Sequence, residues 1–156
     1  MDAEKDLEIL RALEREGAAY VVFGGVALNL LGLARATMDL DLFIDPSPGN
    51  VERVKAALRS VFSDPHIEEI SSGDLAGDYP AIAYVPPGGD LSIDLVARLG
   101  EAFRFEDLEW MMIDWEGVQV RVVTPRMLYR MKKDTVRPQD RADAERLRHH
   151  FGIKED

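Results

Sequence analysis

Leu7, Ile9, Leu10 and Leu13 form an apolar stripe with charged residues filling the other face. Their spacing predicts an amphipathic helix over residues 3–16 that stops at Gly17. Tyr20 to Phe23 is a short run of aromatic and β-branched residues, the composition of a strand. Gly24-Gly25 breaks it, and Val26 to Leu33 reads as a short buried helix. Met38 to Ile44 alternates between apolar and polar residues, so it predicts a second strand, closed by Pro46, Ser47 and Pro48. Asn50 to Phe62 has helical periodicity again. Residues 63–78 are polar and irregular, with a short strand expected at His66 to Ile70.

Two hairpins follow. Ala81–Val85 and Leu91–Val96 flank Pro86-Pro87-Gly88-Gly89-Asp90, and Met111–Trp115 and Val118–Val123 flank Glu116-Gly117. Phe103 to Asp107 fits neither period. Thr124-Pro125 has the residues of a helix start, with threonine as cap and proline at the first helical position. That helix is expected to reach about Asp134, and a last one to cover about Gln139 to His150. The order αβαβα, then strands, then two helices predicts an α+β (mixed α/β) fold in one domain over residues 1–156. A central mixed sheet with helices mainly on one side would occupy about residues 18–123, and a C-terminal helical segment about residues 124–151.

A chain of 156 residues with 46% hydrophobic content is enough for one core. It has no apolar run long enough to span a membrane, and its N-terminus lacks the basic-then-apolar order of a secretion signal. With no cysteine, disulfides and thiolate zinc sites are excluded, and a cytoplasmic location is the simple expectation. The formal net charge of -10 argues against a general nucleic-acid coat. The charge is uneven, however. Residues 121–150 carry nine Lys/Arg against four Asp/Glu, while residues 1–120 carry nine against twenty-three. This split fits either a polyanion-binding segment or a salt-bridged surface between the two parts.

In a strand, residues two apart share a face. Asp39 and Asp41 therefore project together, while Met38, Leu40, Leu42 and Ile44 point into the core. The pair suits magnesium, which takes one or two carboxylates plus water and phosphate oxygens. An exposed acidic strand face gives the same pattern, and Asp45 shares its parity. The double glycine shifts the balance. Glycine permits close approach of a ligand to the backbone, and the first N–H groups of the next helix offer partners to a phosphate. A phosphate element at a strand-to-helix junction and a metal element on the next strand are the two needs of a magnesium nucleoside triphosphate.

The stretch "FGGVALNLLGLARATMDLDLFI" resembles the signature of the polymerase-beta-like nucleotidyltransferase superfamily: an apolar residue, Gly, Gly or Ser, a spacer, then Asp-x-Asp among apolar residues. The variant here is similar to small bacterial members of the minimal and abortive-infection toxin types, and the resemblance covers about residues 20–147. It implies transfer of a nucleoside monophosphate from a triphosphate, with two magnesium ions held by Asp39, Asp41 and a third carboxylate. The best match for the third is Asp94 in "LSIDLV", acting in the second metal site or as base; Asp114 in "MMIDW" is the runner-up. Gly24 and Gly25 would approach the phosphates, and Arg35 and Thr37 would lie beside the site.

The segment "RMKKDTVRPQDRADAERL" resembles a further stretch of these enzymes through Lys132, Arg137, Asp140 and Asp143. Lys132, or Lys133 if the helix is turned the other way, would neutralise triphosphate oxygens. Structural roles are expected for Asp140 and Asp143. His66, His149 and His150 read as surface residues, and Trp110, Trp115, Tyr79 and Tyr84 as core. The leading expectation is an enzyme whose acceptor is an RNA or tRNA end, a protein or a small molecule, working as a toxin–antitoxin component, with a partner protein or a second copy completing its surface. The alternative is a non-catalytic nucleotide-binding or antitoxin-like module that keeps the fold.

Overall fold

The computed structural model describes residues 3–154. Its helices are α1 (Ala3–Arg15), α2 (Gly24–Leu30), α3 (Pro48–Val61), α4 (Ser72–Ala76), α5 (Pro125–Lys132) and α6 (Pro138–Phe151). Its strands are β1 (Tyr20–Phe23), β2 (Asp39–Ile44), β3 (Ala81–Tyr84), β4 (Ser92–Val96), β5 (Arg98–Leu99), β6 (Phe103–Arg104), β7 (Trp110–Trp115) and β8 (Val118–Val123). Six strands form one mixed sheet in the order β3-β4-β2-β1-β8-β7, and β5 and β6 form a separate small ribbon. The β1–β8 and β2–β4 pairs are parallel; the others are antiparallel.

The central strands are the most apolar because both of their faces are covered. Tyr20, Val21 and Val22 of β1 are fully buried, as are Val120, Val122 and Val123 of β8. Helices α1 and α3 pack on each other, and their stripes, from Leu10 and Leu13 to Val54 and Leu58, join the same hydrophobic cluster as the sheet. Thr124 caps α5 as its sequence implies, its hydroxyl accepting from the Met127 amide at 3.2 Å.

Several expectations change. His66 to Ile70 is not a strand: Pro65–Glu69 forms a 3-10 turn, because the Asp64 carboxylate accepts from the His66 amide and Pro65 fits the first helical position. Met38 lies before β2 and is 48% exposed, so it does not join the core. Trp110 and Tyr79 are exposed as well, whereas Tyr84 is buried and Trp115 packs against the core. Phe43 departs from the simple alternation in the other direction. It shares the parity of Asp39 and Asp41 yet is fully buried, stacked edge-on against Phe23 at 5.7 Å. The acidic face of β2 thus turns apolar one step beyond Asp41.

The connection that enters the site region is tied by Asn50, a buried side chain. It accepts from the Ala19 amide at 2.7 Å and donates to the carbonyls of Ala19 at 3.0 Å and Asp45 at 2.8 Å. It therefore binds the entry to β1 to the exit of β2. Replacement by alanine leaves buried backbone groups unpaired. Asn50→Ala is expected to cost about 2–3 kcal/mol in urea denaturation, and a loss within experimental error would contradict this role.

Candidate active site

Across three neighbouring strands, Phe23 of β1 pairs with Asp41 of β2, and Asp41 pairs with Asp94 of β4. This register follows from β2 running antiparallel to β1 and parallel to β4. Asp39 is paired with Ser92 one step nearer the edge. All three carboxylates line a pocket of about 290 Å³, together with Gly24, Gly25, Arg35, Thr37 and Lys132. The eight residues singled out from the sequence thus converge on one cavity. Phe23, Leu99, Leu128, Met131, Thr135, Arg137 and Asp140 complete its lining.

Glycine at position 24 has a reason the sequence did not reveal. Its φ is 74°, and a Cβ there would overlap Asp41 Oδ2. A Cβ at Gly25 would stand 2.8 Å from Thr37 Cβ. The two glycines therefore let α2 close directly onto the acidic strand and onto the residue that starts it. Helix α2 is only seven residues long, so its dipole adds little to the close approach. Thr37 in turn fixes β2: its hydroxyl accepts from the Asp39 amide at 3.1 Å.

The loop after α2 is held by Asn29, whose amide group accepts from the Arg35 N–H and donates to the Arg35 carbonyl, both at 2.8 Å. Arg146 of α6 donates to the Ala34 carbonyl at 3.0 Å. Arg35 is thereby placed in the pocket, its Nε buried without a hydrogen-bond partner among the described residues. Asn29 carries no catalytic pattern in the sequence, and its role is visible only once the loop folds back on α2.

Lys132, not Lys133, faces the pocket. Lys132 Nζ lies 3.2 Å from Asp140 Oδ1 and 3.3 Å from Asp143 Oδ2. Asp143 is fully buried, and its other oxygen lies 3.9 Å from Arg35 and accepts from Gln139 at 3.2 Å. Asp140 also accepts from the Thr135 hydroxyl at 3.0 Å, and Lys132 helps hold its carboxyl below the usual range against the opposing effect of burial. Asp140 and Asp143 thus fix the lysine in place, the structural role expected for them. Lys133 turns to the opposite side of α5, over the Tyr129 ring. Asp114, the runner-up third carboxylate, lies outside the pocket on β7 and is occupied by the Gly117 amide and the Gln119 side chain.

The carboxylate group is electrostatically strained. Burial, above all, raises the Asp41 pKa to about 7, followed by a hydrogen bond with Asp94 and the charges of Asp94 and Asp39; Lys132 opposes these effects. Among the described residues, no three carboxylate, histidine or cysteine side chains form a ready cage for an ion. Magnesium does not need one, since substrate phosphates and water complete its shell. The oxygen-only donors and the mutual repulsion of the acids fit a hard divalent cation, which Asp39 and Asp41 could hold with Asp94 beside them.

Similar architectures occur in solved structures. The antibiotic-resistance factor ANT(2″)-Ia, in complex with adenylyl-2″-tobramycin, superposes with a TM-score of 0.57 at 15% identity, covering 97% of this chain and 89% of that one. Its solution structure gives 0.53 at 16% identity, covering 96% and 90%. A proposed nucleotidyltransferase from Thermotoga maritima gives 0.54 at 13% identity, covering 94% and 89%. No curated protein matches in sequence. The fold is that of the nucleotidyltransferases. Within that class the chain belongs to the nucleotidyl transferase AbiEii toxin family of type IV toxin–antitoxin systems, whose model matches residues 8–151. The enzyme class and the toxin relationship read from the sequence therefore stand.

A folded-state pKa above the unfolded one means that the native protein binds a proton more tightly. The associated stability is present at low pH and is lost as pH rises from about 4 through about 7. Asp41→Asn removes the ionisable group. In metal-free buffer it is expected to be more stable than the parent at pH 8, by on the order of 1 kcal/mol, with a smaller difference at pH 5. Equal effects at the two pH values in thermal melts would contradict the raised pKa.

Proposed function

We propose that the protein transfers a nucleoside monophosphate from a triphosphate to a hydroxyl of RNA, in a magnesium-dependent reaction at the pocket lined by Asp39, Asp41, Asp94, Arg35 and Lys132. The observation that carries this reading is the meeting of an acidic group from β2 and β4 with cations from the 31–37 loop and α5 in one cavity. The unpartnered Nε of Arg35 adds to it, since a phosphate oxygen is the natural acceptor for a buried guanidinium.

In this reaction the acceptor oxygen attacks the α-phosphorus in line. The bond from that phosphorus to the bridging oxygen breaks, and pyrophosphate leaves with the electron pair. Asp94 takes the hydroxyl proton. Asp39 and Asp41 would hold the cation, which would supply positive charge at the α-phosphate and lower the pKa of the attacking hydroxyl. Lys132 and Arg35 neutralise the triphosphate, and Arg137, largely exposed at the pocket rim, reaches its outer oxygens. Gly24 and Gly25 let α2 pack against Asp41 and Thr37 and so form one wall of the pocket.

The choice of RNA rests on charge. On the outer side of α5, a groove of about 630 Å³ is lined by Arg126, Arg130, Lys133 and Lys154 with Tyr129 and Phe151; among the described residues Glu109 is its one acid. Arginine and lysine along a helix, interleaved with aromatic rings, match a phosphodiester backbone better than a protein hydroxyl or a small cationic acceptor.

Incubation with each labelled triphosphate, magnesium and either total RNA or lysate protein tests the reading. Label is expected in the RNA fraction, falling at least about a hundredfold in Asp39→Ala and Asp41→Ala and weakening as salt rises. Label in protein alone would overturn the RNA acceptor, and no transfer to any fraction would overturn the reaction.

A further inference from the structure

The three carboxylates of the pocket are steadied by three different devices. Asp41 has the bare backbone of Gly24 pressed against its carboxyl group. Asp39 has its backbone fixed by the Thr37 hydroxyl, 3.1 Å from its amide nitrogen. Asp94 depends on a side chain of its own strand: the Ser92 hydroxyl donates to Asp94 Oδ1 at 3.3 Å.

Strand geometry creates this contact. Residues two apart on β4 share a face, so Ser92 and Asp94 project together on the acidic side. Leu91, Ile93 and Leu95 alternate with them and are buried, which keeps β4 from turning over. Ser92 stands opposite Asp39 in the ladder, and its amide donates to the Met38 carbonyl at 3.3 Å. Its backbone is therefore tied to the start of β2, level with the first carboxylate. The hydroxyl is left to choose a partner, and it turns along its own strand toward Asp94.

The cations of the pocket do not serve Asp94 in this way. Lys132 lies on Asp140 and Asp143, and Arg35 lies beside Asp143. Among the described residues, the hydroxyl of Ser92 is the one side-chain donor that reaches Asp94 from outside the acidic group. Ser92 does not itself line the pocket of about 290 Å³, whereas Asp94 does. Whatever the serine contributes to chemistry is thus transmitted through Asp94 and not by touching the substrate.

We propose that Ser92 is a positioning residue for nucleotide transfer: by engaging Oδ1 of Asp94 it holds the carboxyl group in the rotamer whose other oxygen receives the proton of the acceptor hydroxyl. This role rests on the reading of Asp94 as the proton acceptor. An aspartate side chain has three staggered wells at χ1 and a broad χ2, so without a donor the carboxyl group divides its time among orientations. A serine has one proton to give, so it engages one oxygen and leaves the other free. An arginine or lysine in its place would bring further donors and a charge, and would compete with the acceptor for the same carboxylate. The contact is long for an O–H···O bond, so it biases the rotamer without locking it, and its loss weakens the chemical step without abolishing it.

Steady-state kinetics with magnesium, labelled triphosphate and RNA test this, together with NMR of the metal-free protein. Ser92→Ala is expected to lower kcat roughly tenfold, part of the 10²–10⁴ that a positioned base supplies, with KM for the triphosphate unchanged. Ser92→Thr keeps the hydroxyl and suits a strand, so it is expected to restore kcat toward that of the parent. Three-bond couplings to the Asp94 carboxyl carbon read χ1 without any turnover, and they are expected to show one rotamer in the parent and averaging in Ser92→Ala. An unchanged kcat in Ser92→Ala, a Ser92→Thr variant as slow as Ser92→Ala, or a single Asp94 rotamer in both parent and Ser92→Ala would overturn the role of Ser92 alone. Activity lost together with the far-UV circular dichroism of the fold would do the same, since it makes the serine merely structural. A parent that transfers no nucleotide would instead overturn the reaction, and this role with it.

Discussion

Asp41 and Asp94 sit opposite each other on adjacent parallel strands, with Gly24 pressed against the Asp41 carboxylate. Two acids at that separation, partly withdrawn from water, disfavour each other's ionisation. The protein accepts this cost in the middle of an otherwise apolar sheet. Beside them, Leu40, Leu42, Ile93 and Leu95 are fully buried, so the strands cannot slip by one residue without exposing the core and burying the acids. Packing on one face therefore fixes the carboxylates on the other. The bare backbone of Gly24 is the only one that fits against them, since any side chain there meets both a positive φ and the Asp41 oxygen.

The cationic side of the pocket is fixed by a different device. Buried Asp143 lies between Lys132 and Arg35, and Asp140 grips the same lysine from the first turn of α6. The C-terminal helices are thus joined to the loop after α2 through charge-assisted contacts rather than by packing alone. A buried carboxylate holding two cations leaves them positioned yet still facing the cavity. That is the requirement for meeting a polyanion without collapsing onto Asp39, Asp41 and Asp94 when none is bound.

Much of this was legible in the chain. The period-two pattern of "MDLDLFI" placed Asp39 and Asp41 on one face, and "LSIDLV" did the same for Asp94, because strand geometry leaves no other choice. Thr124-Pro125 announced α5 for an equally local reason. The remainder depended on long-range contacts. Whether Lys132 or Lys133 turned inward was set by how α5 docks, a choice a short helix with adjacent lysines cannot reveal. Asn29 and Asn50 act only on backbone groups brought close by folding. The true reason for the double glycine, contact with Asp41 and Thr37 rather than the reach of a helix dipole, required the register between β1 and β2. The misread at His66 came from apolar spacing that Asp64-Pro65 overrides, and the exposure of Trp110 from its position on a sheet edge, which composition does not encode.

The central claim is that strain among the carboxylates is the property that a cation and a nucleotide relieve. Carbon-13 NMR of the Asp41 carboxyl group, titrated with pH in the metal-free protein and again with magnesium and a non-hydrolysable triphosphate, measures it at the atom concerned. The account predicts a midpoint at about 7 in the free protein and a large downward displacement when magnesium and nucleotide are both present. A midpoint in the ordinary carboxylate range in the free protein, or one that magnesium and nucleotide leave unmoved, would contradict it.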